Sequence, residues 1–170
     1  SKHEEAAPMI AAMYMDLGGV YLKAAQYAVA QGSLLPRAWE DRLQFAFNAV
    51  KPRPWKEIKG TLDREVGLSS FARVDETALA AASVGQVHRG TVKLEGDPVA
   101  IKVLYLDARR NMVQDLKNQR ALCELVDQIL KLGCKDTVRT VMDEFETNFP
   151  KELDLSNEVR NMQRAIDTFD

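Results

Sequence analysis

The apolar pattern changes its period twice along this chain, and that change limits the folds the chain can adopt. Residues 71–105 contain the stretches FARVDETALAAAS, VGQVHRGTVKL and DPVAIKVLYL, whose alternation is typical of strands. Glu95-Gly96-Asp97, between the last two stretches, favours a turn. Helical spacing precedes and follows this interval. The sequence therefore predicts an α+β fold, with a helical extension over 1–70, a small antiparallel sheet over 71–106 and a second helical region over 107–170.

Three helices are predicted before the sheet. One covers residues 5–31, where Gly18 and Gly19 favour a break or a close backbone approach, since each costs roughly 1 kcal/mol in a helix. The second lies within LLPRAWEDRLQFAFNAV, and the third begins near Pro54 and stops at Gly67. The residues expected on the buried faces are Met9, Met13, Leu17, Val20, Tyr21, Ala24 and Ala28, then Trp39, Leu43, Phe47 and Val50, then Trp55, Ile58, Leu62 and Val66.

Three further helices are predicted after the sheet. The first lies within DLKNQRALCELVDQILKLG and is capped by Gly133. The second covers roughly residues 136–147. The last begins near Pro150, with Asn148 as its N-cap, and runs toward Phe169. The stripe expected to be buried on the first of these helices is Leu122, Leu125, Val126, Ile129 and Leu130.

A lysine stands within the apolar stretch PVAIKVLYL, at position 102. In protein kinases a strand lysine in a VAIK motif holds the α- and β-phosphates of ATP, and a helix glutamate keeps that lysine in place. Val99-Ala100-Ile101-Lys102 matches this motif, but four letters are a weak signal. Taken alone, they are better explained by a lysine on the solvent face of an edge strand.

The hairpin before this strand strengthens the kinase interpretation. Its sequence AAASVGQV takes the place of the kinase glycine loop, GxGxxGxV. Ala80 and Ala82 stand at the first two glycine positions, whereas Gly85 and Val87 match the third glycine and the valine. Because alanine lacks the freedom of glycine to adopt positive φ, this loop is expected to be stiff. The alternative is that the alanines only pack well in a tight sheet or helix.

A second lysine, Lys23, lies with Gln26 inside the apolar pattern of the first helix. From the helix alone, the simpler explanation is a lysine that extends its charged end to water. A buried position would instead require a carboxylate partner. The late stretch KELDLSNEVRN supplies such carboxylates at Glu152, Asp154 and Glu158.

These stretches, in this order, resemble the UbiB-like atypical kinases, a family linked to coenzyme Q and other prenyl lipids. Members of that family carry a KxGQ motif, an alanine-rich loop in place of the glycine loop, and an ExD motif. Here LKAAQ matches the first, with Ala25 at the glycine position. AAASVGQVH and KELDLSNE match the other two. The resemblance extends from Leu17 onward, and Ala25 puts the close packing of its helix in question.

The resemblance implies an N-lobe that binds adenine nucleotide, ATP or ADP. Lys102 is then expected on the phosphates, with Glu158 as its partner, and these two residues would have the catalytic roles. The nucleotide is expected against Ala100 and beneath the loop residues Ala80, Ala81, Ala82, Ser83, Val84, Gly85, Gln86 and Val87.

The resemblance also implies that the KxGQ helix folds over the nucleotide cleft. Lys23 would then pair with Glu152 or Asp154, with Gln26 as a hydrogen-bonding neighbour. Asp154 and Glu158, four residues apart, are expected to share a face of the last helix. That face would point toward the cleft.

No stretch matches the catalytic-loop HRD with its following asparagine, or the metal-binding DFG. The sequence is therefore expected to be the N-terminal part of an atypical kinase or ATPase, inactive by itself, with Mg²⁺ bound only when a C-lobe is present. By resemblance, small-molecule phosphorylation or ATP hydrolysis coupled to lipid handling is favoured over protein phosphorylation. The alternative is a non-catalytic scaffold or interaction subunit that retains only the N-lobe.

The net charge of −2 argues against nucleic acid as a partner. Cys123 and Cys134 lack metal-ligand spacing, and no metal site is expected. No apolar run approaches the roughly 18 residues of a membrane span. The resemblance implies adenine nucleotide, a prenyl lipid or membrane surface, and other lipid-biosynthesis proteins as partners. It implies a mitochondrial location, with plastid or bacterial-membrane settings as alternatives.

Overall fold

The computed structural model describes the backbone of residues 2–32, 35, 37–47, 50–130 and 135–169, which form two compact units, residues 1–111 and 112–170. The predicted α+β class is confirmed. The elements are α1 (Lys2–Leu17), α2 (Gly19–Ala30), α3 (Arg37–Phe47), α4 (Trp55–Glu65), a 3-10 turn (Leu68–Ser70), β1 (Phe71–Ala81), β2 (Gly85–Val92), β3 (Pro98–Leu104), α5 (Leu106–Leu130), α6 (Lys135–Glu152) and α7 (Leu155–Phe169).

The first predicted helix is broken into α1 and α2, as the glycine pair suggested. Gly18 and Gly19 have φ values of 60° and 47°, which glycine adopts at little cost. The two helices and α3 contribute Ala11, Ala25 and Leu43 to one buried cluster. The methyl group of Ala25, at the glycine position of the KxGQ motif, therefore lies in the core of the extension.

Met9 and Leu17 were predicted to be buried and are exposed. The reason is that α1 turns a neighbouring face inward, where Ala7 and Ala11 are buried. Val66 is also exposed, because α4 ends at Glu65. The side chain of Phe47 lies outside the described residues.

α4 buries Ile58 and Leu62, as predicted. Gly67 follows its end with φ 86°, a conformation that turns the chain away from the helix. The 3-10 turn then leads directly into β1. Trp55 begins α4, and its ring centroid lies 5.0 Å from that of His88 on β2, so the helical extension contacts the sheet.

The three strands form an antiparallel sheet in the order β1-β2-β3. β2 and β3 pair without interruption, whereas the pairing of β1 with β2 contains register shifts. The turn between β2 and β3 contains Gly96 with φ 74°, which confirms the predicted turn. On β3, Ala100 and Lys102 are exposed, whereas Ile101 and Val103 are buried. The alternation therefore gives the sheet one packed face and one open face.

The second unit differs from the prediction at Pro150, which lies inside α6. The last helix does not begin there, and Asn148 is not its N-cap; α7 begins at Leu155. Phe145 and Phe149 are almost fully buried, with ring centroids 5.1 Å apart. Their packing favours a continuous helix and offsets the cost of an interior proline, about 3 kcal/mol.

α5 also turns a different face inward from the one predicted. Leu125 and Ile129 are exposed, whereas Leu116 and Gln119 are buried. On α5, Arg120 pairs with Asp143 and Glu146 of α6, and these ion pairs hold the two helices together. The hydrogen bonds that Arg120 donates to both carboxylates raise its pKa. The predicted cap Gly133 and the side chains of Val126 and Leu130 lie outside the described residues.

Gly85→Ala is expected to lower the free energy of unfolding by about 1–3 kcal/mol, as overpacking does. The added Cβ would lie 2.7 Å from the carbonyl oxygen of Val103. Gly60→Ala is the control, because nothing lies within 4 Å of the Cβ it adds on α4. It should raise the stability by about 0.5–1 kcal/mol. Urea denaturation measures the free energy of unfolding of both variants. An unchanged value for Gly85→Ala would contradict the close pairing of β2 with β3.

Candidate functional site

The open face of the sheet carries the residues expected to surround a nucleotide. Lys102 lies directly opposite Val87, and Ala100 lies opposite Arg89. Ala80 of β1 is the other neighbour of Val87. Because directly paired residues project from the same side of a sheet, the structure brings these five residues onto one face.

The hairpin loop between β1 and β2 is folded onto the end of β3. The N–H of Ala82 donates to the carbonyl oxygen of Gly85 over 2.8 Å, and the N–H of Tyr105 donates to that of Val84 over 2.9 Å. Ser83 and Val84 are buried. The loop is therefore anchored at its tip by hydrogen bonds and burial, whereas the stiffness expected of its alanines stays a prediction.

Behind the sheet, Gln86 lies at the centre of a buried polar network. Its Oε1 accepts hydrogen bonds from the N–H of Arg53 at 2.8 Å and the hydroxyl of Tyr105 at 3.0 Å. Its Nε2 donates to the carbonyl oxygen of Arg53 at 3.3 Å and to Nε2 of His88 at 2.9 Å. His88 consequently carries its proton on Nδ1, which donates to the carbonyl oxygen of Asp75 at 2.8 Å.

Arg53 joins this network to the start of α5. Its guanidinium lies 4.0 Å above the ring of Tyr105 and donates to both oxygens of Asp107, at 2.7 and 2.9 Å. Burial alone would raise the pKa of Asp107, but the hydrogen bonds and charge of Arg53 outweigh it and lower that pKa. Burial raises the pKa of Tyr105, and the charge of Arg53 partly offsets this.

Sequence reasoning did not identify this network. It assigned Gln86 to the nucleotide, and it assigned no role to Arg53, His88, Tyr105 or Asp107. One signal was available, because Gln86 and His88 are two residues apart on β2 and therefore share a face. Arg53, the partner of Gln86, lies 33 residues earlier in the sequence, and no local pattern predicts such a contact.

The predicted regulatory residues divide between the two units. Lys23 and Gln26 are half-buried on α2 in the first unit. Glu152 ends α6 in the second unit, and Glu158 lies in the first turn of α7. The pairings of Lys23 with the ExD carboxylates and of Lys102 with Glu158 stay predictions. Within the second unit, Glu152 and Glu158 line one cleft of about 440 Å³, together with Lys151, Asn157, Arg160, Asn161 and Arg164.

Asp154 does not lie on α7, so it does not share a helix face with Glu158 as expected. Instead it is the N-cap of that helix. Its Oδ1 accepts from the backbone N–H of Ser156 at 3.0 Å and from the hydroxyl of the same residue at 2.6 Å. A carboxylate at an N-cap satisfies a backbone donor and interacts favourably with the helix dipole.

Grouped metal ligands and membrane-spanning helices are both absent from the part of the chain that the structure describes. Among those residues, no three or more His, Cys, Asp or Glu side chains are grouped so as to hold a metal ion. Within the same residues, no helix has the length and apolar character needed to cross a membrane.

Comparison with known proteins identifies the family. Residues 46–170 match the ABC1 atypical kinase-like domain. The chain belongs to the ABC1 atypical kinase-like family. The predicted resemblance is thereby confirmed. The ABC1 match includes the open face, the alanine-rich loop, Gln86 and Arg53, whereas the LKAAQ segment precedes it.

Named ABC1 relatives support this assignment. The chain is 31% identical over 96% of its length to "Probable serine/threonine-protein kinase abkD" of Dictyostelium discoideum. It is 28% identical to "Protein ACTIVITY OF BC1 COMPLEX KINASE 1, chloroplastic" of Arabidopsis thaliana and 27% identical to "Probable protein kinase UbiB" of Shewanella loihica, in both cases over 91% of the chain. It spans only 23%, 23% and 29% of these proteins, respectively.

A solved structure is also similar. It is a Mycobacterium tuberculosis protein in complex with erythromycin, with a TM-score of 0.42 and 24% identity over 91% of this chain and 40% of that one.

Asp107→Asn is expected to destabilise the protein at neutral pH. Because the folded-state pKa of Asp107 is lowered, its contribution is present above the unfolded-state pKa of about 3.9 and is lost as the pH falls through the folded-state pKa. At pH 7 the free energy of unfolding should fall by less than about 1 kcal/mol, since half of the Asp107 side chain is exposed.

Thermal unfolding between neutral and acidic pH measures this effect. Glu95→Gln, which removes the same charge from the exposed β2–β3 turn, is the control and should change little at any pH. If the difference in melting temperature between Asp107→Asn and the wild type grew on acidification, it would contradict the ion pair.

Asp154→Ala should weaken the start of α7 by about 1 kcal/mol, because it removes the N-cap acceptor. Asp154→Asn keeps the acceptor and removes only the charge. Hydrogen exchange of the Ser156 amide should therefore accelerate in the alanine variant and stay near the wild-type rate in the asparagine variant. Equal acceleration in both variants would argue against the cap. The pair also separates capping from the predicted ion pair with Lys23.

Proposed function

We propose that this chain is the nucleotide-binding N-lobe and helical extension of an ABC1 atypical kinase or ATPase, with adenine nucleotide on the open face of the sheet. One observation carries the proposal: Lys102 and Ala100 are exposed on β3 and share a face with Val87. The simpler explanation, a lysine on the solvent face of an edge strand, explains only why Lys102 is exposed. It does not account for the small neighbour at Ala100 or for the loop beside Val87.

The chemistry of this face suits a nucleotide. Ala100 leaves room for a flat base against the sheet, and the side chain of Val87 supplies an apolar contact on the same face. The ammonium group of Lys102 is a compact cation on a long stem, which suits phosphate oxygens. In protein kinases the equivalent lysine interacts with the phosphates and is held by a helix glutamate. Glu158 is proposed for that role here.

The alanine-rich loop supports a restricted choice of substrate. Its tip is buried and bonded to the start of the segment after β3, so it has little freedom to adapt to a protein chain. We therefore favour phosphorylation of a small molecule or ATP hydrolysis coupled to lipid handling, over protein phosphorylation. Coenzyme Q-type prenyl-lipid metabolism is the proposed setting, because relatives named UbiB match most of the chain. A mitochondrial location and a lipid or membrane partner belong to the same proposal.

The extension is proposed to regulate this site. Lys23 would pair with Glu152 or Asp154, with Gln26 beside it, so that α2 lies over the nucleotide. Both Lys23 and Gln26 are half-buried, as residues at a packed contact would be. Mg²⁺ is proposed to bind only together with phosphate groups and ligands from a C-lobe.

Lys102→Ala should reduce the affinity for ADP roughly tenfold or more in the full-length protein, since a charge-assisted hydrogen bond contributes about 1.5–3 kcal/mol. Lys93→Ala is the matched control, because it removes the same charge from an exposed position at the end of the β2 hairpin. Isothermal titration calorimetry with ADP and Mg²⁺ measures both variants.

An affinity of Lys102→Ala equal to that of Lys93→Ala would overturn the assignment of the open face. A wild-type protein that binds no adenine nucleotide would favour the scaffold alternative instead.

A further inference from the structure

We propose that Gln86 is a positioning residue, which fixes the hairpin loop between β1 and β2 from the packed face of the sheet and so sets the affinity for nucleotide without contacting it. This inference rests on the proposed nucleotide site. The hydrogen bonds of Gln86 link the helical extension to the loop.

The side chain of Gln86 is already fully occupied. A glutamine amide offers two donor hydrogens and two acceptor lone pairs. Arg53 takes one donor and one acceptor position, Tyr105 takes the other acceptor and His88 takes the other donor. The residue is 2% exposed. Gln86 therefore has no hydrogen-bonding position left for a ligand, and its influence must pass through its neighbours.

Tyr105 carries that influence to the loop. Its hydroxyl donates to Oε1 of Gln86, and its backbone N–H donates to the carbonyl oxygen of Val84. The same residue thus holds both the amide at the centre of the network and the tip of the hairpin. Gly85 directly precedes Gln86 and accepts from the N–H of Ala82, so the loop is fixed from both of its sides.

Arg53 carries the influence from the extension. The amide of Gln86 bonds both the N–H and the carbonyl oxygen of Arg53, much as a neighbouring strand would. The guanidinium of Arg53 stacks on Tyr105 and pairs with Asp107. A shift of the segment before α4 would therefore break bonds that also hold the loop.

These bonds fix the loop before nucleotide arrives. A glycine loop must lose conformational freedom when it closes over phosphates. A loop that is already fixed loses less, and this preorganisation increases affinity. Two sites coupled through a packed contact commonly change each other's affinity by 5- to 150-fold, so loss of the Gln86 contacts should be measurable.

The test uses Gln86→Met in the full-length protein, because methionine has a similar length and lacks the amide. The first measurement is hydrogen exchange of the Tyr105 and Ala82 amides without nucleotide, and we expect it to accelerate about tenfold or more. The second is the calorimetric affinity for ADP with Mg²⁺, which should fall roughly 5- to 20-fold.

Two further variants make the result decisive. Leu43→Ala removes a side chain that is 2% exposed on α3 and buried with Ala11 and Ala25, so it destabilises the core that α3 forms with α1 and α2. It should leave the Tyr105 exchange and the ADP affinity within about twofold of the wild type, so it separates a positioning role from general destabilisation. Tyr105→Phe deletes only the hydroxyl that bonds Gln86. It should produce a smaller change in the same direction, and it decides the matter if Gln86→Met does not fold.

The outcomes separate this inference from the proposed function. Unchanged exchange at Tyr105 in Gln86→Met and Tyr105→Phe would overturn the link, and so would faster exchange with unchanged ADP affinity. A wild type that binds no ADP would overturn the nucleotide site. In that case faster exchange in Gln86→Met would still support the fixing of the loop by Gln86.

Discussion

The structure of the first unit depends on the amide of Gln86, which hydrogen-bonds the backbone of a segment 33 residues away in the sequence. A buried amide is costly unless all its hydrogen bonds are made. Here the backbone of Arg53, the hydroxyl of Tyr105 and the imidazole of His88 make them. The tautomer of His88 and the orientation of the Tyr105 hydroxyl follow from that requirement, and the bonds to Arg53 hold the segment before α4 against the sheet. Sheet and extension are thus joined by directional bonds as well as by apolar packing.

The alternation of β2 and β3 separates two tasks. Gln86 and His88 point toward the packed face and hold the extension, whereas Val87 and Lys102 point toward the open face. A shift of register by one residue would exchange the two sets. The position of Gly85 opposes such a shift. Any other residue that moved into this position would bring its Cβ against the carbonyl oxygen of Val103. The glycine retained from the aligned loop motif therefore has a packing role that does not depend on phosphate.

Sequence patterns predicted the elements whose signals are local. The alternation of residues 71–105, the turn at Gly96 and the helix stop at Gly67 follow from period and backbone conformation, and all three are confirmed. The order of the motifs predicted the family, which the ABC1 match confirms. The open face could be predicted as well, because the strand period fixes which residues accompany Lys102.

The errors occurred where tertiary packing overrides a local signal. Pro150 is a common first residue of a helix, but the buried rings of Phe145 and Phe149 keep α6 continuous through it, and Asp154 caps the next helix instead. On α5, Leu125 and Ile129 of the predicted stripe are exposed, whereas Leu116 and Gln119 are buried, so local periodicity indicated the wrong face. The Arg53 network depends on distant residues, so a single sequence could indicate only that Gln86 and His88 share a face of β2.

The most direct test of nucleotide binding on the open face is photo-crosslinking of the full-length protein with azido-ATP, followed by peptide mapping. Labels in the peptides that contain residues 80–87 or 99–103 are predicted, whereas labels confined to other peptides would contradict nucleotide binding on the open face.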